Sequence, residues 1–327
     1  MNNSVITAFL LLFLLSAVSF VEAQQSTTVP RLGFLSALTP AAVSEHTEAF
    51  RQRLRQLGWE EGQNVTIVYR WAEGRYDRLS DLSAELVRMP VEVIFANSGV
   101  AALAAKRVTS NVPVVFEMLG DPVSSGLVSS LARPGRNVTG VSGLGPELST
   151  KQLDLLKEII PQLTRLAVLS NPSNLIAGAT LRETETAAKS LRVQTQSFEA
   201  REVEHIPAAF TRMKRERSDA LLVVADPMFA NHRDRIRELV EKYKLPAIYY
   251  ESRWVPEGGL MSYSPSQLEQ FRKAATLVDK VLRGAKPSNL PVEQPTKLEL
   301  MINLKAAKQI GLTIPANVLA RADKVIK

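Results

Sequence analysis

What most constrains this chain is an alternation, repeated along its length, of a short apolar strand, a turn and a helix. The stretch from Val112 to Pro146 shows where the alternation changes hands. Val112 to Met118 is apolar and rich in β-branched residues, as strands buried on both faces of a parallel sheet are. Leu119-Gly120-Asp121-Pro122 turns the chain, and Asp121 suits the cap of a helix predicted over Val123 to Leu131. Arg133-Pro134-Gly135-Arg136-Asn137 breaks that helix. Val138 to Ser142 forms one more strand, which runs into Gly143-Leu144-Gly145-Pro146. Strand-then-helix order holds on both sides of this stretch. It therefore marks the end of one α/β lobe and the crossing into another.

Before it, strands are predicted at Arg31 to Ser36, Asn64 to Tyr69 and Val91 to Ala96. Helices follow them, the first with Pro40 at its start and Gly58 at its end. The others span Tyr76 to Arg88 and Gly99 to Arg107. After it, helices are predicted at Leu148 to Ile160, Ile176 to Leu191, Ile206 to Arg215 and His232 to Tyr243. They alternate with strands at Arg165 to Ser170, Arg192 to Phe198, Ala220 to Ala225, Pro246 to Tyr250 and Leu260 to Tyr263. Leu268, Phe271, Ala274, Ala275, Val278, Val281 and Leu282 then give one apolar helical face, closed by Gly284. A Pro-rich segment, Pro287 to Pro295, leads to Leu298 to Asn303 and a helical tail. Alternation of this kind calls for parallel sheets covered by helices.

The 327 residues suffice for two such lobes, and a hydrophobic content of 45% can fill two cores. The apolar run Val5 to Val18 is too short to span a bilayer comfortably, and Val21-Glu22-Ala23 offers a signal-peptidase site. Residues 1–23 are thus expected to be a leader cleaved before Gln24, although Met1 to Ser4 carry no Lys or Arg. An uncleaved anchor is the alternative. The chain has no cysteine, which excludes a lipid-anchored lipoprotein, disulfides and thiolate-held metals. Its net charge of +7 rises to +8 when Glu22 leaves with the leader. The basic residues are scattered, and the densest run, Arg212 to Arg217, is interrupted by Glu216. Nucleic acid is therefore not an expected partner.

Three groups of residues carry a resemblance. Gly120-Asp121-Pro122 goes with Ala132-Arg133-Pro134-Gly135 and Asn137-Val138-Thr139-Gly140. Gly284-Ala285-Lys286-Pro287 goes with Leu290 to Lys297. Ile302-Asn303-Leu304-Lys305-Ala306-Ala307-Lys308 goes with Gly311 to Pro315. In order and spacing they resemble the ABC transporter substrate-binding protein family that includes tryptophan- and tyrosine-type receptors. The resemblance implies a type I periplasmic-binding fold: two doubly wound parallel-sheet lobes joined by a three-segment hinge, with the ligand between them. It implies a small-molecule ligand, pointing to amino acids with aromatic ones among them. Delivery would be to an ABC permease and ATPase on separate chains, from a monomer in the periplasm without stable membrane insertion. Crossings are expected near Val141 to Pro146, Gly258 to Met261 and Ser288 to Pro295. Lobe 1 then comprises residues 24–141 and 260–288, and lobe 2 residues 142–259 and 289–327. Gly140, Gly143, Gly145, Gly258 and Gly259 are expected to give the crossings freedom to bend.

Ligands of open α/β sheets bind beyond the carboxyl ends of the strands. That rule selects Ser36, then Ser98 and Gly99, where a helix start offers N–H groups to an anion. It also selects Glu117, Asp121, Asn171 and Asp226. Asp121 suits a cap better than a ligand contact. Asp226 suits either a cap or a ligand amine. Tyr250, Glu251 and Tyr263 belong to an aromatic cluster near the second crossing, with Tyr249 and Trp254, that could stack on a ring or simply fill the core.

Catalytic motifs are missing. His46, His205 and His232 are isolated on helical segments and are expected at the surface. No pair of them has metal-ligand spacing, so neither a metal nor a cofactor is expected. There is no nucleophile elbow and no phosphate loop, and Gly140, Gly143 and Gly145 lie in the wrong place for a dinucleotide fingerprint. A secreted solute receptor is the favoured reading. The alternatives are a periplasmic enzyme on a Rossmann-like scaffold and the effector domain of a transcription regulator, the latter opposed by the leader and by the lack of an N-terminal helix-turn-helix.

Overall fold

The computed structural model describes residues 29–143, 146–174 and 177–327. The expected leader, Leu144-Gly145 of the first crossing, and Ile176 at the expected start of a helix lie outside them.

Lobe 1 is built from β1 (Arg31–Ser36), α1 (Ser44–Gln56), β2 (Thr66–Trp71), α2 (Leu79–Arg88), β3 (Val93–Asn97), α3 (Gly99–Val108), β4 (Val114–Met118) and β5 (Val138–Ser142). Its five strands are parallel, in the order β2-β1-β3-β4-β5. The second lobe continues with α4 (Pro146–Ile159), β6 (Arg165–Ser170), α5 (Ala177–Ser190), β7 (Gln194–Glu199), α6 (Ile206–Arg215) and β8 (Ala220–Val223). It goes on through α7 (Pro227–Asn231), α8 (Arg233–Tyr243), β9 (Ala247–Tyr249) and β10 (Met261–Pro265). The long helix α9 (Gln267–Leu282) then returns to the first lobe, and β11 (Leu298–Asn303), α10 (Leu304–Gln309), α11 (Ala316–Leu319) and β12 (Lys324–Ile326) close the second. The second sheet has the order β12-β11-β10-β9-β8-β6-β7. The chain is thus two doubly wound α/β lobes of the type I periplasmic-binding kind, joined by three crossings.

Each sheet is covered on both faces. In lobe 1 the apolar stripe predicted for residues 268–282 delivers Phe271, Ala274, Ala275 and Val278 onto Phe34, Phe50, Phe95 and Val141. Leu79, Leu82, Leu86, Ala101 and Ala105 cover the opposite face. In lobe 2 α4 and α5 cover one face through Leu153, Leu156 and Ala187, and α6 and α8 the other through Phe210, Ile236 and Leu239.

Four expectations change. First, Val123 to Leu131 is not a helix but a series of turns. The Asp121 carboxylate accepts from Val123 and Ser124 N–H, while Leu127 and Val128 N–H both reach back to Pro122 O. Ser124, Ser125 and Gly126 are weak helix formers whose polar groups prefer such local bonds.

Second, the middle crossing falls between Pro265 and Gln267 rather than at Gly258 to Met261. β10 pairs with β9 and β11 in the second sheet, so residues 261–265 belong to lobe 2. Third, Gly259 lies inside that lobe, and a Cβ there would meet Trp254 O at 2.7 Å. Gly140 is likewise a packing glycine, since its Cβ would meet Phe116 O at 2.2 Å. Both are small because a neighbour presses on them, not because a hinge needs their freedom.

Fourth, β11 runs antiparallel to β10. The chain re-enters lobe 2 at the hinge end, where β10 leaves it, and so must run the opposite way. On the way it pairs along β5, with Glu293 N–H on Gly140 O and Ser142 N–H on Glu293 O. Lobe 1 therefore extends to about Glu293.

Candidate functional site

The carboxyl ends of both sheets face one another, and between them lies a cavity that encloses, with its mouth, about 620 Å³. Lobe 1 contributes Asn97, Ser98, Gly99 and Glu117 from the ends of β3 and β4, and His46 from α1. Lobe 2 contributes Asn174, Asp226, Tyr250 and Glu251. Phe271 comes from α9 just beyond the middle crossing. The apolar wall includes Leu38, Val43, Leu119, Pro227 and Ala230.

The lobes touch around this cavity. Tyr76 O–H donates to Asp226 Oδ2 at 2.8 Å, and Thr39 N–H to Asn231 Oδ1 at 3.0 Å. Arg253 Nη1 donates to Ala42 O at 2.5 Å. His46 Nε2 stands 3.4 Å from Glu251 Oε1, and its ring is stacked on Phe271.

Ser98 occupies a backbone conformation rare for any residue but glycine, with φ +93° and ψ 151°. Such a residue costs of order 1–3 kcal/mol and persists only where its surroundings hold it. Three bonds hold this one: Ser98 N–H donates to Glu117 O, its carbonyl accepts from Ala102 N–H, and its Oγ caps α3 by accepting from Ala101 N–H. Gly99 and Val100 both line the cavity in the first turn of α3, where N–H groups lack an intrahelical acceptor.

Among the described residues three carboxyl groups meet the cavity, and their surroundings differ. Asp226 caps α7 by accepting from Met228 N–H at 2.9 Å. It also accepts from Tyr76 O–H, Asn171 Nδ2 and Asn174 Nδ2. Burial raises its pKa and these donors pull it back. Glu117 and Glu251 each have a buried Oε1 without a hydrogen-bond partner. Burial, and then repulsion by Glu251, pushes Glu117 up to about 8. Burial also pushes Glu251 up to about 7, against the pull of Arg253 and Arg233. Burial and those same arginines push His46 down to about 4, so it is neutral near pH 7.

Of the residues selected from sequence, Ser98, Gly99, Glu117, Asp226, Tyr250 and Glu251 are brought together at the cavity. Ser36 and Asn171 support it from behind. Ser36 Oγ donates to Asn97 Oδ1 and accepts from Leu38 N–H, and Asn171 donates to Asp226. Asp121 is the cap of its own turn. Tyr263 lies on β10, where it packs on the core of lobe 2 and lines a separate surface groove with Lys151 and Arg321. Tyr249 and Trp254 stack on each other in the core, with centroids 4.5 Å apart.

His46 is not a surface residue; it is buried in the cavity wall. Sequence reading missed it because its partner Glu251 is 205 positions away, and it also missed Tyr76 and Asn174. Tyr76 carried no signal, but Asn174 stands in the Asn171-Pro172-Ser173-Asn174 turn at a strand end. Among the described residues no group of three or more His, Asp or Glu is placed to hold a metal ion.

Two lobes closing on one pocket at their strand ends define a solute-binding protein. Residues 34–326 match the family model described as ABC transporter substrate binding protein, and the chain belongs to that family. It is 24% identical over 282 residues to a tyrosine-binding protein of Clostridioides difficile, covering 86% of this chain and 81% of that one. A crystal structure of an ABC domain in complex with L-Trp from Streptococcus pneumoniae is similar at TM-score 0.85 and 26% identity, covering 91% of this chain and all of that one. The ligand-free, open structure of a substrate-binding protein with adhesive properties from Clostridium difficile is similar at TM-score 0.65 and 23% identity, with the same coverage.

Proposed function

We propose that this substrate-binding protein is an exported receptor for a small molecule of the amino-acid class, with the aromatic amino acids the first candidates. It delivers its ligand from the periplasm to an ABC permease and ATPase on separate chains. It works as a monomer, closes its lobes on the ligand, and binds without chemical turnover. The observation that carries this reading is the cavity itself, walled by both lobes and mixing apolar and aromatic surface with a few polar groups. Tyr250 and Phe271 suit a ring, and the first turn of α3 suits a carboxylate. The tyrosine-binding relative and the L-Trp complex support aromatic amino acids. The apolar run Val5 to Val18 followed by Val21-Glu22-Ala23 supports export.

A thermal-shift screen over the L-amino acids tests the ligand class. A ligand at a hundred times its Kd stabilises by about 2.7 kcal/mol, a clear rise in melting temperature. A screen in which no amino acid raises the melt would refute the reading. Cell fractionation tests export separately.

A further inference from the structure

Glu117 ends β4 in one lobe and Glu251 follows β9 in the other, and both line the cavity. Both residues are more than nine-tenths buried, at 3% and 7% exposure. Each has a buried Oε1 without a hydrogen-bond partner, and that of Glu251 has only the ring of His46 beside it. His46 Nε2, 3.4 Å from Glu251, is the nearest basic atom, and it is held neutral. Among the described residues neither Lys nor Arg lines the cavity. A buried carboxyl group in such surroundings is unfavourable until something supplies charge and donors. Asp226 needs nothing of the kind, because four donors of the protein already satisfy it.

We infer that the ligand's ammonium group is held between Glu117 and Glu251, one carboxylate from each lobe, and that this amine governs recognition more than the ligand's carboxylate does. This deepens the receptor reading above and rests on it. An ammonium offers three donors and a positive charge, which two facing carboxyl groups can share. Because the carboxyl groups belong to different lobes, the amine meets both only when the lobes are together. Recognition and closure become one event. The ligand's carboxylate finds only backbone N–H groups at the start of α3 and neutral side chains such as Asn97, so its loss removes less.

Binding also moves a proton. Near pH 6.5, with the lobes together as they are here and no ligand between them, burial favours the protonated form of both glutamates, and repulsion by Glu251 adds to it at Glu117. When the ammonium arrives, one carboxyl group ionises and its proton passes to the buffer, leaving an ion pair. Glu251 is the one better placed to ionise. Arg253 and Arg233 favour its charge, while Glu257 and Glu45 oppose it and His46 stays neutral. Asp226 and Tyr250 are the other titratable residues in the described lining of the cavity, and Tyr76 lies behind Asp226.

The test uses the mature chain and matched triplets of probes. L-tyrosine is compared with tyramine, which lacks the carboxylate, and with 3-(4-hydroxyphenyl)propionate, which lacks the amine. L-tryptophan, tryptamine and indole-3-propionate form a second set, and the remaining L-amino acids are treated likewise. The amines are expected to keep most of the parent's melting shift and the deaminated acids to lose it. Calorimetry at pH 6.5 in buffers of different ionisation enthalpy should show about one proton released per ligand. Affinity should then rise about tenfold per pH unit between pH 5.5 and 6.5. Glu117→Gln and Glu251→Gln should each weaken binding thirty-fold or more. Neither substitution should lower the melt of the unliganded protein.

Acids that bind as well as the amines, or a Glu117→Gln variant that binds like wild type, would overturn the inference while leaving the receptor reading intact. If no triplet binds, the amino-acid reading fails, and the unliganded protein still decides about the pair. Wild type should lose stability between pH 6.5 and 8 and Glu117→Gln should lose less. Parallel curves would overturn the inference.

Discussion

Asp226 and Glu117 end strands of different lobes, both are buried, and both face the same cavity, yet their environments are opposite. Asp226 is surrounded by Tyr76 O–H, Met228 N–H and the amides of Asn171 and Asn174. Glu117 has no donor on Oε1 and a second carboxyl group, Glu251, close enough to repel it. A strand-end carboxylate is thus a building element where the protein supplies donors, and a receptor element where it withholds them. Position along the strand does not separate the two cases. Donor count does.

The largest effect expected from this contrast is on folding. Asp226→Ala removes the acceptor for four donors, and should cost roughly 3 kcal/mol or more, because buried donors left unpaired lose about 1–3 kcal/mol each. Urea unfolding measures this directly. A loss below about 1 kcal/mol would show that Asp226 is not the structural member of the pair. Glu117→Gln takes the acceptor from no donor of the protein at Oε1 and should unfold at nearly the wild-type urea concentration.

Next in size is the pH dependence of the unliganded protein. Glu117 and Glu251 have pKa values raised from 4.5, so the folded state holds their protons more tightly than the unfolded one. Their stabilising contribution is complete below about pH 4.5 and is lost as pH rises through about 7 and then about 8. His46 works the other way: its pKa falls from 6.5 to about 4, so its contribution is present above pH 6.5 and lost on acidification. Unfolding followed from pH 6.5 to 8 should therefore report the glutamates with little from His46. A fall of about 2 kcal/mol is expected at 1.36 kcal/mol per unit of pKa difference. A flat profile would mean that the glutamates are solvated by something other than a ligand.

A smaller effect is expected at the contact between lobes. Tyr76→Phe removes the hydroxyl that Asp226 accepts from across the cleft, but leaves the ring in place. A hydrogen bond of this kind contributes about 1 kcal/mol, or some five-fold in the affinity for whichever L-amino acid the screen identifies. Titration calorimetry on that variant checks it, and unchanged affinity would detach Tyr76 from closure.

Smallest is Asp121→Ala, which removes two turn-capping bonds at the exposed foot of β4. Its cost should stay at about 1 kcal/mol in stability, with no change in affinity. A binding defect there would extend the receptor surface beyond the cavity.

What the sequence determined by itself was the alternation and therefore the two parallel-sheet lobes, since apolar runs of strand length followed by capped amphipathic helices admit few other arrangements. It also placed Ser98, Gly99, Glu117, Asp226, Tyr250 and Glu251 at strand ends, because a local pattern shows where a strand stops. Only the tertiary structure decided which of these residues are free. His46 meets Glu251 across 205 residues, and Tyr76 satisfies Asp226 across 150. The middle crossing, too, was misplaced from local glycines, because membership of a sheet depends on a pairing partner elsewhere in the chain. Local sequence fixes φ/ψ preference and hydrophobic period, which are properties of a few neighbours. Desolvation, donor count and charge at a site are sums over everything that folding brings near, and those terms separate a cap from a receptor carboxylate.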